Sequence, residues 1–312
     1  MDNSVQAHNR VFKKEALSVG LMFPLEAYSG DTPLMHNQVE LAQRAEALGF
    51  SALWFRDVPL RDPSFGDVGQ IYDPFVFMSL IAAKTAHIAL VSGAIVLPLR
   101  HPFHVAKMSA SINQLFDDRL ILGVSSGDRP REFPAFGVDF ESRGERFRES
   151  YLMIKQYFAE SFPVHNTNHF GHSEGALDLI PKPDGGDMFM PIVGSAQQSL
   201  EWIATHGDAW VSYPREPVIQ AGIIERWREA NKAVGNRGVK PFAQSLYIDL
   251  LDNPEAGPKK IHLGFSSGRL YLKDYLHSLR EVGVEHIVLN VKYSQRPAAE
   301  VIEELGEFVV SR

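Results

Sequence analysis

The chain has 312 residues, 45% of them apolar, enough to bury a sizeable core within one large domain. Its 31 basic and 38 acidic groups leave a formal charge of −7, which favours solubility and speaks against a nucleic-acid partner, because that needs a concentrated basic face. Cysteine is absent, which excludes disulfides, thiolate catalysis and cysteine-ligated metals and points to a reducing, cytoplasmic setting.

Residues 1–16 are polar and read as a loosely ordered N-terminal extension ahead of one domain over 17–312. No apolar run approaches the roughly 20 residues that cross a bilayer, so no membrane partner is expected. From there short apolar runs alternate with amphipathic segments. The predicted strands are 18–23, 52–55, 88–97, 120–124, 191–193, 209–212, 242–250 and 286–291. After the first strand, Leu41, Ala45 and Leu48 share one helical face and Gly49 stops it. After the second, Asp73 and Pro74 supply an N-cap and a proline at the first helical position. Phe147, Tyr151, Ile154 and Phe158 form the stripe of a helix from about Glu145, and Tyr271, Tyr275, Leu279 and Val282 form another, closed by Gly283. Eight strand-helix units suggest a (β/α)8 barrel, and an open doubly wound sheet gives similar local signals.

Two connections, 56–72 and 161–188, exceed the about 2–6 residues usual for such loops. The first follows a strand, so in a barrel it lies on the C-terminal face, where active sites are built. Its Arg56, Asp57, Arg61, Asp62, Phe65 and Asp67, with two glycines, suit a lid; a solvated charged loop is the plain alternative.

Gly194-Ser195-Ala196-Gln197-Gln198 lies between a strand and a helix. Ser195 as N-cap and Gln198 as its capping-box partner would start that helix, and the spare N–H groups beside Gly194 would hold an anion such as a phosphate. Gly123-Val124-Ser125-Ser126-Gly127 spells the nucleophile-elbow pattern of serine hydrolases. The prolines that follow, Pro130 and Pro134, oppose the helix such an elbow needs. A ligand-contacting turn fits better. Ser92-Gly93-Ala94 interrupts a β-branched strand with small residues, as expected for a ring packed on the backbone or for tight barrel packing. The histidine groups His101/His104 and His165/His169/His172 lack carboxylate or thiolate support for a metal, and His101 suits a capping role.

An ordered set of motifs resembles the luciferase-like monooxygenase family. It comprises Leu97-Pro98-Leu99-Arg100-His101-Pro102, Gln114-Leu115-Phe116-Asp117-Asp118-Arg119-Leu120, the Gly123–Gly127 run, Glu132-Phe133-Pro134-Ala135-Phe136-Gly137-Val138, Ser142-Arg143-Gly144-Glu145-Arg146, Gly194-Ser195 and His206-Gly207-Asp208-Ala209-Trp210. The resemblance implies a (β/α)8 TIM barrel of the bacterial luciferase-like type that binds FMN, or in some branches the deazaflavin F420, at its C-terminal mouth. It further implies a non-proline cis peptide at Gly93-Ala94 behind the ring, with Ser92 alongside. The phosphate would sit at Gly194, Ser195 and Gln197, helped by Ser125 and Ser126. Where luciferases proper have a histidine after the second strand, this chain has Arg56-Asp57-Val58, and Ser126 replaces an arginine near the phosphate. Light emission and F420 are therefore not the first expectation.

The expected activity is that of an FMN-dependent monooxygenase acting on a small organic substrate, fed by a reduced nicotinamide nucleotide or a partner flavin reductase. Asp57 is the candidate base, Arg56 or Arg61 balances charge, and Tyr213 and Lys292 are placed to polarise a substrate oxygen. A homodimer is expected from the family. The alternatives are F420-dependent hydride transfer, a non-catalytic flavin-binding relative and a serine hydrolase.

Overall fold

The computed structural model describes residues 6–14 and 16–310. Eight parallel strand positions close into a barrel: β1 (Ser18–Met22), β2 (Ala52–Phe55), β3 (Ala89–Ser92 and Ile95–Val96), β4 (Leu120–Ile121 and Val124–Ser125), β5 (Ile192–Val193), β6 (Trp210–Ser212), β7 (Phe242–Leu250) and β8 (His286–Asn290). Each pairs in parallel with its neighbour in chain order, and β8 pairs with β1, which excludes an open doubly wound sheet. Around it run α2 (Gln38–Ala47), α3 (Pro74–Ala82), α4 (Pro102–Leu115), α6 (Arg143–Ala159), α7 (Leu200–His206), α8 (Pro217–Ala233), α9 (Arg269–Val282) and α10 (Ala298–Leu305), while α1 (Ala7–Val11) precedes β1 and the short α5 (Glu132–Ala135) precedes α6. Among the described residues no helix is long and apolar enough to cross a membrane.

Local chemistry sets the helix ends. The Asp73 carboxylate accepts the Phe75 and Val76 N–H groups and starts α3 at Pro74, and His101 Nδ1 accepts the Phe103 N–H at the start of α4. Gly283, at φ +105°, closes α9 in the left-handed region that side chains avoid. The predicted stripe Phe147, Tyr151, Ile154 and Phe158 is buried along α6. Two features escaped the sequence reading: a hairpin of Val164–Asn166 with His172–Glu174 inside the second long connection, and a ribbon of Lys259–Ile261 with Gly264–Ser267 that extends the end of β7.

Residues 7–12 are not part of a loose extension, while residues 1–5 and 15 of the expected extension lie outside the described residues. Inside the barrel, Ala52, Ala89, Ala209 and Ala243 leave the lower layer under-filled, and α1 fills it with Ala7 and Val11, followed by Phe12. Only a minority of residues 1–16 are apolar, so their hydropathy hides this plug. A chain of hydrogen bonds ties it down. Trp54 Nε1 donates to His286 Nε2 at 3.0 Å, which puts the single N–H of the neutral imidazole on Nδ1, where it donates to Ser18 Oγ at 2.6 Å; Ser18 in turn donates to the Val11 carbonyl.

Phe12→Ala is expected to destabilise the protein by about 3–5 kcal/mol in urea unfolding, the cost of emptying a filled core position. A loosely ordered tail would give no change. A second expectation concerns acid. Burial holds the His286 imidazole down to about 3 from 6.5, so between those values the unfolded chain takes up a proton that the fold refuses. Its contribution to stability is complete above about 6.5 and is lost as pH falls toward 3, by up to about 1.4 kcal/mol per pH unit. Glu285, raised by burial to about 7 from 4.5, acts with the opposite sign between those two values. The stability difference between the parent and His286→Gln isolates the histidine, and it should shrink as pH is lowered from 7 to 4.5; a pH-independent difference would contradict this assignment.

Candidate active site at the barrel mouth

At the C-terminal end of the barrel β3 and β4 break at the same level. The Gly93-Ala94 peptide is cis, and Gly123 sits where a side chain would strike the Ser92 carbonyl, its ideal Cβ lying 2.0 Å from that oxygen. The Gly123 carbonyl repairs the gap by accepting both Ser92 Oγ at 2.8 Å and the Ile95 N–H at 2.9 Å. Gly93 and Ala94 are partly exposed, whereas Ser92 and Ile95 are buried, so bare backbone faces the mouth. Gly93 also has no room for a Cβ, which would meet the Trp54 ring at 2.5 Å.

On the neighbouring strand the chain leaves β5 through Gly194 at φ +70°, followed by Ala196 and Gln197, also left-handed at +47° and +59°. Successive amides in such a turn make an anion-binding concavity. The Ser195 and Ala196 N–H groups have no acceptor among the described residues, and nothing lies within 4 Å of where a Gly194 Cβ would be. The first turn of α6 packs directly on this turn: the Gln198 side chain donates to the Gly144 carbonyl at 2.8 Å and accepts from Arg148 at 3.0 Å. Helix α7 begins only at Leu200, capped by Ser199. Ser195 and Gln198 therefore form no capping box. The free N–H groups here belong to the turn itself rather than to a helix start.

The 56–72 connection folds over the mouth, and its central group is Asp67. That carboxylate receives Arg56 Nη1 at 2.6 Å, the Tyr28 hydroxyl at 2.6 Å, the Gly69 N–H at 2.9 Å, Lys292 Nζ at 3.2 Å and the Tyr247 hydroxyl at 3.4 Å. Burial alone would raise its pKa, but the Arg56 charge and these hydrogen bonds hold it well below the ordinary carboxylate range. Burial and the same carboxylate push the Tyr247 hydroxyl up to about 12, so it stays a donor. The outer face of the connection is tied by Arg61 to Asp31 and by Arg131 to Asp62.

The structure thus brings Arg56, Lys292, Gly93, Ala94, Ser125, Gly194 and Ser195 to one end of the barrel on adjacent strands, with Val96 paired to Ser125 and Val124 to Ile192. Other expected residues have different duties. Asp57 is buried and accepts both Arg100 nitrogens, at 2.8 and 2.7 Å, and the Val96 N–H at 3.1 Å. A carboxylate so engaged fixes the end of β3 and does not present itself as a base. Arg61 faces outward on Asp31, and Ser92 spends its hydroxyl on Gly123. Tyr213 is half-exposed at the rim, bonded to Asp128. Ser126 is buried beside the half-buried Ser125, and Gln197 is exposed. No helix follows Ser125 until Glu132, so the elbow of a serine hydrolase is absent. His165 Nδ1 bonds the Tyr157 hydroxyl at 2.9 Å, and among the described residues no group of three or more His, Asp or Glu is arranged to hold a metal. Sequence reasoning gave no role to Tyr28, Tyr247, Arg100 and Arg129, which come from separate parts of the chain and of which only Arg100 lies in a quoted motif.

A closed parallel barrel thus carries bare backbone and a turn with two unclaimed N–H groups at its C-terminal mouth. The chain belongs to the luciferase-like monooxygenase family, whose profile matches residues 18–258. It is 26% identical over 233 residues to the 4-hydroxyprotoasukamycin monooxygenase of Streptomyces nodosus subsp. asukaensis, covering 72% of this chain and 61% of that protein. The chain thus spans about six-tenths of that relative's length. Two solved structures share the fold: an F420-dependent secondary alcohol dehydrogenase with an F420-acetone adduct (TM-score 0.77, 16% identity, 94% of this chain and 98% of that one), and the FMN-bound oxygenating constituent of 3,6-diketocamphane monooxygenase from the CAM plasmid of Pseudomonas putida (TM-score 0.75, 16% identity, 95% and 99%).

Removing the central charge tests how the lid is held. Asp67→Asn leaves Arg56 and Lys292 without their shared anion, and amide exchange over 61–70 should accelerate about tenfold or more while the barrel strands keep their protection. Unchanged exchange there would show that the lid is held by other contacts.

Proposed function

We propose that this chain is a flavin-dependent oxidoreductase, and specifically an FMN-dependent monooxygenase acting on a small organic substrate. The observation that carries this reading is the pairing of an accessible Gly93-Ala94 backbone with the unclaimed Ser195 and Ala196 amides at the same barrel end. The first suits a planar ring and the second an anionic tail. Family membership supports it, as does the fold shared with an FMN-bound oxygenase.

In this reading the Ser195 and Ala196 N–H groups hold the phosphate in the space that Gly194 leaves open, with the Gln197 side chain beside it, Ser125 and Ser126 adding hydroxyls and Arg146 of the adjoining α6 turn adding charge. Gly93 and Ala94 lie against the ring. FMN, when bound, supplies the redox chemistry that activates dioxygen. The lid excludes water, and Arg56 and Lys292, neutralised in part by Asp67, keep the mouth electropositive. Asp57 positions Arg100 and the end of β3, and Tyr213 offers a hydroxyl at the rim for a substrate oxygen. Reducing equivalents come from a nicotinamide nucleotide or a partner flavin reductase. The uncovered apolar face of α3, with Val76 69% and Leu80 46% exposed, supports a homodimer, and the absence of cysteine supports a cytoplasmic location.

FMN added to the purified protein should stay with it through gel filtration, read by the two-band absorbance of oxidised flavin in the protein peak, and parallel titration with F420 decides between the two cofactors. Gly194→Asp places a negative charge in the anion site, in a conformation aspartate tolerates. It should weaken FMN at least tenfold and leave riboflavin, which lacks the phosphate, unchanged, with Gly194→Asn as the uncharged control. Equal weakening of FMN and riboflavin, or no flavin binding by the parent, would refute the reading.

A further inference from the structure

Arg129 leaves the end of β4 and is only 5% exposed. Its guanidinium lies over the Phe65 ring at 4.0 Å, and its Nη2 donates to the Asp67 main-chain carbonyl. Its Nη1 is buried and has no partner among the described residues. Glu132, Asp128 and Asp67 lie near enough to act on its charge, yet none hydrogen-bonds Nη1, and the Asp67 carboxylate is held by Arg56 and Lys292 and that of Asp57 by Arg100. Glu132 Oε1 is likewise buried and unpartnered, so Glu132 and Arg129 do not satisfy each other. Burial also raises the Glu132 carboxyl, which favours its neutral form.

A buried guanidinium with an unused N–H costs free energy unless an acceptor arrives, and its planar fork matches a carboxylate better than any neutral oxygen. Arg56 and Lys292 already share the Asp67 carboxylate and Arg129 takes only that residue's main-chain carbonyl, so an anion arriving at Nη1 meets a guanidinium that no carboxylate hydrogen-bonds among the described residues. Phe65 on the lid covers the guanidinium face and, with the ring of Tyr213 at the rim, offers apolar surface to the rest of such a molecule.

We propose that Arg129 anchors the substrate through Nη1, and that the substrate class is a small organic acid whose carboxylate meets Arg129 and whose apolar body packs under the lid. This rests on the flavin reading only in placing the substrate at the barrel mouth. Arg129 is therefore a specificity residue, and the lid closes on the acid it holds.

The test uses the intact chain with FMN added in excess, titrated by calorimetry with benzoate and hexanoate, each against its primary amide. At least one acid should bind tenfold or more tightly than its amide. Arg129→Gln should abolish that preference, Arg129→Lys should retain part of it, and Glu132→Gln should keep it. FMN affinity, read from absorbance in the same variants, should stay within twofold. The acid-to-amide comparison in the parent needs no variant, so a poorly folded Arg129→Gln leaves it decisive. No acid preference in the parent, full preference in Arg129→Gln, or a loss of FMN affinity in a folded Arg129 variant would each overturn the proposal, the last by assigning Arg129 to the flavin. Arg129-dependent acid binding in a parent that takes up no flavin would uphold this inference and remove the flavin reading instead.

Discussion

The mouth of this barrel depends on one carbonyl. Gly123 offers its oxygen to both Ser92 Oγ and the Ile95 N–H, and that double acceptance lets β3 and β4 stay paired on either side of the Gly93-Ala94 peptide. Strand pairing normally consumes every backbone group, and a gap in it leaves buried donors without partners. Here the gap is bridged from one atom, so two residues between the halves of β3 turn bare backbone toward the barrel mouth without opening the sheet. Asp57 serves the same end, since its grip on the Val96 N–H and on Arg100 fixes the chain just beyond the break. The residue that seemed the natural base is part of the scaffold that holds the floor of the site.

Above that floor the lid is organised by charge. Asp67 is the one carboxylate reached by cations and hydroxyls from four separate segments: Tyr28 after β1, Arg56 after β2, Tyr247 on β7 and Lys292 after β8. Interactions among partly buried charges are little screened and fall away once water enters. The same group therefore ties the 56–72 connection to the segments after β1 and β8 and to β7.

Local readings succeeded where one short stretch of chain contains the whole cause. Asp73-Pro74 begins α3, Gly283 ends α9, and the α6 stripe is buried as its spacing requires. The same logic failed at Ser195-Gln198, which has the letters of a capping box but adopts a left-handed turn, because Gly144 of α6 presses on Gln197 and claims the Gln198 side chain. It failed again in residues 7–12, whose few apolar positions matter only because four alanines on four other strands leave space for them.

From sequence alone came the alternating units, the small residues of β3, the glycine after β5 and the ordered motifs that together locate a ligand-binding barrel mouth. These are properties of neighbours along the chain, set by backbone sterics and hydrophobic spacing. Tertiary structure alone decided which charges meet: that Asp57 belongs to Arg100, that Asp67 gathers four segments, and that Arg129 is left with an empty N–H. The physical reason is that an ion pair is chosen by distance in space, and closing the barrel brings together charges 259 positions apart, as Arg44 and Glu303 are.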